Sequence, residues 1–350
     1  MSGIYARCAA SVRGAQFHAA YIQTATPTKG LKKAVMTAKN LSDTSTASAT
    51  STHEAPPGIS RCTGVFLLLT TAFSSIFYAF IISTGHVGGG NGVYELGLMW
   101  SPALAALLTC RLKGLSLQSL GWGWGAWRWQ RTAFAIPLGY TIVAYALVWV
   151  FGYGGFPDPK FVESTRAGLG WTGAPDWLVL GGDFLLIGSA GLALSMAFAL
   201  GEEIGWRGFL TPQLTRQFGF KAGALLTGAI WTLWHLPLVF FADYNNTTPS
   251  LFGVSCFTAL MLGMSVIMAW LRLRSGSLWT AAVFHASHNQ FIQVFFTPAT
   301  TAYGAKTAFA IDEFGFALPA VVVTLAIVYW RKPTNGERRY ESFGTSRGTA

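Results

Sequence analysis

Charge is what this chain has least of. Of its 350 residues only 11% are Asp, Glu, Lys or Arg, while 52% are hydrophobic, against about 25% charged in a soluble domain. The deficit argues against a soluble globular protein and for a polytopic membrane protein. Paired cysteines are missing too: Cys8, Cys62, Cys110 and Cys256 are scattered, with no CxxC, so neither a disulfide framework nor a cysteine metal site is supported. No HExxH occurs, which removes the pattern that sets two zinc ligands and a base on one helix. A basic face is also absent. The net charge is +10, but the basic residues fall at the ends of apolar runs, as topology signals do, so nucleic acid is not an expected partner.

Acidic residues are absent from the start of the chain. Asp43 is the first, preceded by Arg7, Arg13, Lys29, Lys32, Lys33 and Lys39, and Ser, Thr and Ala dominate Leu41–Thr52. We read residues 1–60 as a disordered or mis-assigned N-terminal tail, with Met36 as a candidate start. Residues 61–332 are read as a transmembrane bundle with its core region at 183–296, and residues 333–350 as a basic cytoplasmic tail.

What is present is a series of apolar runs of spanning length, near Thr63–Ser83, Val93–Cys110, Ala133–Phe151, Asp183–Leu210, Ala222–Phe241, Leu251–Leu271, Ser277–Phe296 and Phe314–Trp330. They predict an all-α polytopic bundle of about eight transmembrane helices. Thr211-Pro212 is expected to end the fourth. Alternate loops collect the basic residues: Arg111, Lys113, Arg128 and Arg131, then Arg207, Arg216 and Lys221, then Arg272 and Arg274, then Arg331, Lys332, Arg338, Arg339 and Arg347. The positive-inside rule therefore places both termini in the cytoplasm. Trp122, Trp124, Trp127 and Trp129 lie among the first of these and read as an interfacial aromatic belt.

Three polar clusters interrupt the apolar segments: Glu202-Glu203-Ile204-Gly205-Trp206-Arg207, Trp231-Thr232-Leu233-Trp234-His235, and His285-Ala286-Ser287-His288-Asn289. An ionisable group at the bilayer centre costs about 2.5–3.5 kcal/mol on insertion scales, so such groups mark function. Glu203 and Arg207, Trp231 and His235, and His285 and Asn289 are each four apart, which puts each pair on one helix face. Glu203 can be neutralised by Arg207, leaving Glu202, about 100° around the helix, to face a cavity. Counting from the expected cytoplasmic ends, Glu202 and His285 both lie about 15 Å deep at 1.5 Å per residue, so the clusters can meet at one level. Taken singly, each has a structural reading as an ion pair or as interhelical hydrogen bonding; together at one depth they point to acid–base chemistry. His288 lies about 60° around the helix from His285 and is a candidate for the cavity wall with Trp231. Glu95, Asp183 and Asp312 read as edge residues or helix caps.

The clusters resemble the motifs of the CAAX-protease and bacteriocin-processing (CPBP, or ABI) family of intramembrane proteases. Its Glu-Glu-x-x-x-Arg motif matches at Glu202, Glu203 and Arg207, and its His-x-x-x-Asn motif at His285 and Asn289. In its Phe-x-x-x-His motif His235 matches, but Trp231 stands where the family has Phe. The resemblance implies an eight-helix bundle with a cavity opening toward the cytoplasm. It also implies hydrolysis of a membrane-associated peptide, with Glu202 activating water with help from His235, His285 and Asn289 stabilising the oxyanion, and Glu203 and Arg207 supporting the site. Glu202, His235 and His285 are also a zinc-like ligand set, so a Zn2+ enzyme and a metal-free one both remain open. A proton-coupled transporter with Glu202 and the histidines as a relay, and a non-catalytic scaffold with a relic site, are the competing functions. The expected location is the plasma membrane of a prokaryote or the endoplasmic reticulum of a eukaryote.

Overall fold

The computed structural model describes residues 60–332, apart from Asn246; the expected N-terminal and C-terminal tails lie outside the described residues. The protein is a bundle of apolar helices. In hydrocarbon the backbone must satisfy its own hydrogen bonds, and a helix does so within one segment. The helices are α1 (Arg61–Thr84), α2 (Val93–Leu112), α3 (Trp127–Val150), the short α4 (Pro159–Leu169), α5 (Asp176–Leu186), α6 (Leu192–Glu203), α7 (Thr211–Phe241), α8 (Ser250–Ser275), α9 (Trp279–Asn289), α10 (Ala305–Ala310) and α11 (Ala317–Trp330). Each apolar run read from the sequence falls on a helical segment. Among the described residues, five helical stretches are long and apolar enough to cross a membrane: Arg61–Thr84, Gly89–Leu112, Trp127–Val150, Asp176–Phe241 and Ser250–Ser275.

The stretch Asp176–Phe241 is 66 residues long, or about 99 Å if straight, far more than the roughly 30 Å of a bilayer core. It doubles back at Gly219, which has φ 79° and ψ 170°. The two arms then run side by side: Thr211 Oγ1 donates to Thr227 Oγ1 at 3.3 Å, and a Cβ at Gly223 would meet the backbone nitrogen of Thr215 at 2.6 Å. The expected stop at Thr211-Pro212 is thereby corrected. Proline lacks a donor that the first turn of α7 does not need, so the helix passes through it and breaks where glycine permits a positive φ.

The ends of the bundle differ. At one, Lys113, Arg216 and Lys221 lie in or beside turns, and Arg272 and Arg274 end α8 before the turn 276–278. At the other lie the glycine-rich turn 85–92, the segment 151–175 with α4, the turn 242–249 and the segment 297–316. There a two-residue pairing of Gly154–Gly155 with Thr301–Ala302 ties two of these segments together.

α5 and α6 are joined by a π-helical segment, Ile187–Gly191, and further π-helical segments run over Ile204–Leu210 and Gln290–Phe296. The last two begin directly after Glu203 and Asn289. Such widened turns are frequent at functional sites.

Candidate active site

The first cluster closes α6. Glu202, Glu203 and Arg207 are buried, the latter two completely. Arg207 Nη1 donates to both oxygens of Glu203, at 3.0 and 3.3 Å, as the four-residue spacing predicts. Glu203 Oε1 also accepts from His285 Nδ1 at 2.9 Å, which joins α6 to α9. Above Arg207, 4.0 Å from its guanidinium carbon, lies the ring of Trp231, a cation–π contact suited to a charge without water.

Glu202 is not bare. Its Oε2 accepts from Trp231 Nε1 at 2.6 Å and from Trp206 Nε1 at 3.2 Å. Oε1 has no hydrogen-bond partner among the described residues, and the carboxylate lines a cavity. The carbonyl of Trp231 accepts from His235 Nδ1 at 2.9 Å. A carbonyl can only accept, so the proton sits on Nδ1 and the neutral ring keeps Nε2 as an acceptor. Trp231 thus holds both Glu202 and His235, and it lies edge-on to His285 with ring centroids 5.3 Å apart.

The cavity, about 230 Å³, is bordered by Glu202, Trp231, His235, His285, His288 and Asn289 together. The structure brings all the sequence-predicted cavity residues to one space, with Glu203 and Arg207 packed behind it. Asn289, half-buried, has no hydrogen-bond partner among the described residues and keeps its amide for a ligand.

Of the three residues read as edges or caps, Glu95 lies at an edge, in the first turn of α2, and also lines the cavity. Asp183 is two turns into α5, which starts at Asp176, and lines the cavity. Asp312 is not a helix start but a turn residue with φ 65°. Sequence reasoning missed its neighbour. Glu313 is buried on the same cavity and accepts from His288 Nε2 at 3.1 Å, Gln293 Nε2 at 3.0 Å and the Tyr244 hydroxyl at 3.1 Å. His288 Nδ1 lies 2.5 Å from the Tyr140 hydroxyl, and the Tyr244 ring stacks on His235 at 5.7 Å. Burial would raise the Glu313 carboxyl, but the donors around it, His288 first, hold it below the usual range, while burial and the Glu313 charge push Asp312 up. The signal in the sequence is an Asp-Glu pair at the start of the last apolar run.

Among the described residues no three His, Cys, Asp or Glu side chains are grouped so that they could hold a metal ion. Glu202 Oε2 and one nitrogen each of His235 and His285 are already engaged by protein groups.

The cavity is also lined by residues away from the Glu202–His285 level: Val87 and Glu95 before and in α2, Asp183 in α5, Tyr244 after α7, Gln293 after α9 and Glu313 before α11. The basic end is filled by packed side chains, among them Leu120, Leu210 and Leu278.

Residues 185–291 match the family model for type II CAAX prenyl endopeptidases, Rce1-like. The match falls on the segment whose motifs resemble the CAAX-type intramembrane proteases. A CAAX prenyl protease 2 of Methanococcus maripaludis is 32% identical over 99 residues, which is 27% of this chain and 36% of that relative. The chain thus spans little more than a third of the length of the curated relative it matches. All the predicted motif residues fall inside the matched stretch, whereas Tyr140 and Glu313 lie outside it.

Proposed function

We propose that the protein is an intramembrane endopeptidase that hydrolyses peptide bonds of membrane-associated peptides, with Glu202 as the base that activates water. The observation that carries this reading is the division of labour at Glu202. One oxygen is pinned by two indole N–H groups, and the other faces a cavity shared with His235, His285 and Asn289.

A water in the cavity can donate one proton to Glu202 Oε1 and the other to His235 Nε2, whose acceptor state is set by the Trp231 carbonyl. Attack on the substrate carbonyl moves the first proton to Glu202 and puts negative charge on the carbonyl oxygen. Donors are needed where that charge develops, and each typically contributes 10²–10³ in rate. The Asn289 amide is one. His285 is the second once its ring carries both protons, a charge that Glu203 at Nδ1 offsets. Glu202 then returns its proton to the leaving amine, as microscopic reversibility requires of a base that became an acid. Glu203 and Arg207 serve by fixing His285 and the helix that carries Glu202. No step here calls on a metal.

The test is cleavage in proteoliposomes of a tagged library of membrane-anchored peptides by the wild type and by Glu202→Gln. Discrete products from the wild type alone are expected. Equal cleavage by both would remove Glu202 as the base, and no cleavage by either, with both folded, would favour a carrier or scaffold.

A further inference from the structure

At the basic end of the bundle three helices meet through aromatic residues. Trp129, in the first turn of α3, packs edge-on against Trp270 near the end of α8, with ring centroids 5.8 Å apart. Trp270 in turn packs edge-on against Tyr329 near the end of α11, at 5.0 Å. Cations lie over this row of rings. The Lys332 ammonium is 4.0 Å from the Tyr329 centroid and 5.2 Å from that of Trp270. The guanidinium carbon of Arg128 is 5.1 Å from the Trp129 centroid, and that of Arg274 is 5.7 Å from the Trp270 centroid. Lys221, just past the Gly219 kink, lies 5.5 Å from the ring of Trp330.

A cation over a ring face is held in place without being neutralised, because the ring offers a quadrupole and not a counter-charge. Arg166, at the other end of the bundle, is instead paired with Glu163 and Asp176. Neither Arg128 nor Lys332 pairs with a carboxylate among the described residues, and α3 and α11 contain no Asp or Glu. Trp270 and Tyr329 are buried, and the Trp270 indole N–H has no acceptor among the described residues. One turn back along α11 from Lys332, Ile327 and Val328 are about half exposed, and Val323 continues that apolar face.

We propose that the ends of α3, α8 and α11 form a binding site for an anionic phospholipid, its phosphate drawn to Arg128 and Lys332 and an acyl chain laid along Val323, Ile327 and Val328. The occupant is anionic because two ordered cations stand there without a carboxylate. It is a lipid because the rings sit where α3 starts and α8 ends, and both helices are long enough to cross a membrane. Tryptophan and tyrosine gather at that level, beside the lipid headgroups. The surface that continues from the cations is apolar, as a chain in the bilayer requires. Basic pockets between spanning helices take anionic headgroups in this way. The proposal rests on charge and packing at the bundle surface and is independent of the peptidase reading.

Lipid binding to the full-length protein in neutral detergent tests this. The protein is titrated with phosphatidylglycerol and with phosphatidylcholine of the same acyl chains, and native mass spectrometry reads the lipid bound. The wild type is expected to prefer phosphatidylglycerol by about thirtyfold, roughly fivefold for each of two basic side chains at an anionic headgroup. Arg128→Gln/Lys332→Gln should bind the two lipids about equally. Lys160→Gln/Lys306→Gln removes the same charge from the other end of the bundle and should keep the wild-type preference. If the first double variant does not fold, Arg128→Gln alone, at an exposed position, carries the test with a loss of about fivefold. No preference in the wild type, or a preference that survives in Arg128→Gln/Lys332→Gln, would overturn the proposal. So would an equal loss in both double variants, which would mean attraction to net charge alone. Inorganic phosphate forms the last arm: failure to displace phosphatidylglycerol supports a lipid site, and displacement would reassign the site to a free anion.

Discussion

Trp231 Nε1 donates to Glu202 Oε2 at 2.6 Å, shorter than the 3.2 Å bond from Trp206, and the same residue's carbonyl fixes the tautomer of His235. Phenylalanine, the family's residue in this position, could offer the carbonyl but not the N–H. Hydrogen bonds to charged groups contribute about 1.5–3 kcal/mol, and about 1.4 kcal/mol is tenfold in rate. Trp231→Phe is therefore expected to fold and to lower kcat about ten- to a hundredfold with little change in KM. Trp206→Phe should cost less. Steady-state cleavage of one tagged peptide by both variants checks this, and an undiminished kcat for Trp231→Phe would show that the indole N–H does not orient Glu202.

Glu313 holds His288, Gln293 and Tyr244 at once, and Tyr244 in turn packs on His235. Interhelical hydrogen bonds in membrane proteins average about 0.6 kcal/mol, with a maximum near 1.7. With three bonds lost, Glu313→Ala is expected to lower unfolding stability in mixed detergent by about 2 kcal/mol. Glu313→Gln keeps the shape and should cost less. Both should retain measurable cleavage, because Glu313 acts through its neighbours, whereas Glu202→Gln should not. A Glu313→Gln enzyme as dead as Glu202→Gln, at normal stability, would place Glu313 in the chemistry itself.

Legibility in the sequence followed the range of the forces involved. Apolar runs and caps are local, so the helices could be read directly, and the α-helical repeat alone paired Glu203 with Arg207. Composition also announced that Glu202, His235, His285 and Asn289 were out of place in hydrocarbon. The sequence did not reveal which group answers which across helices. Nothing local says that two tryptophans hold Glu202, or that His285 turns to Glu203. Pro212 was misread because its meaning depends on whether a turn of helix starts or ends there. Glu313 escaped notice because it sits just outside an apolar run, where an acid is usual, and its partners come from the turn after α7, the end of α9 and the segment after α9. The bonds of Arg272 to the carbonyls of Arg207, Ser119 and Leu120 form a layer that is the floor beneath Arg207, and no motif spacing encodes it.

That layer makes its own prediction. Arg272 satisfies three carbonyls from two other segments, and a Cβ at Gly121, which has φ 88°, would fall 2.6 Å from Arg272 Nη2. Leaving a buried acceptor unsatisfied costs about 1–3 kcal/mol. Arg272→Ala should lose roughly 2–4 kcal/mol of unfolding stability, since more than one such acceptor is stranded. Arg272→Lys should rescue only part of it, because one ammonium cannot span the three carbonyls as a planar fork does. Gly121→Ala is expected to mimic the loss, combining strain at a left-handed backbone with a clash on the guanidinium. Detergent unfolding curves decide the matter, and wild-type stability in Arg272→Ala would show that the floor is held by apolar packing alone.

Asp243 is expected to act as a pH-dependent latch on the glycine-rich turn 85–92. Asp243, in the turn after α7, accepts from the Val87 N–H at 2.8 Å and pairs with His86 Nδ1 at 3.1 Å, so the glycine-rich turn 85–92 is fastened beside the cavity that Val87 lines. Burial works against the Asp243 charge, yet these two donors hold its carboxyl below the usual range. A group depressed in this way contributes above its unfolded pKa, and that contribution is lost as pH falls through the lower, folded value. The latch should therefore be intact at neutral pH and release under acid conditions. Hydrogen exchange in residues 85–92 should be slow at neutral pH in the wild type. It should rise steeply at acidic pH relative to the intrinsic exchange rate, and should already be fast at neutral pH in Asp243→Asn. Asp243→Asn keeps an acceptor for Val87 but loses the charge that draws His86, so His86→Phe should show part of the same effect. Equal protection in wild type and Asp243→Asn at neutral pH would show that the turn is held by the packing of Val87 and not by the carboxylate.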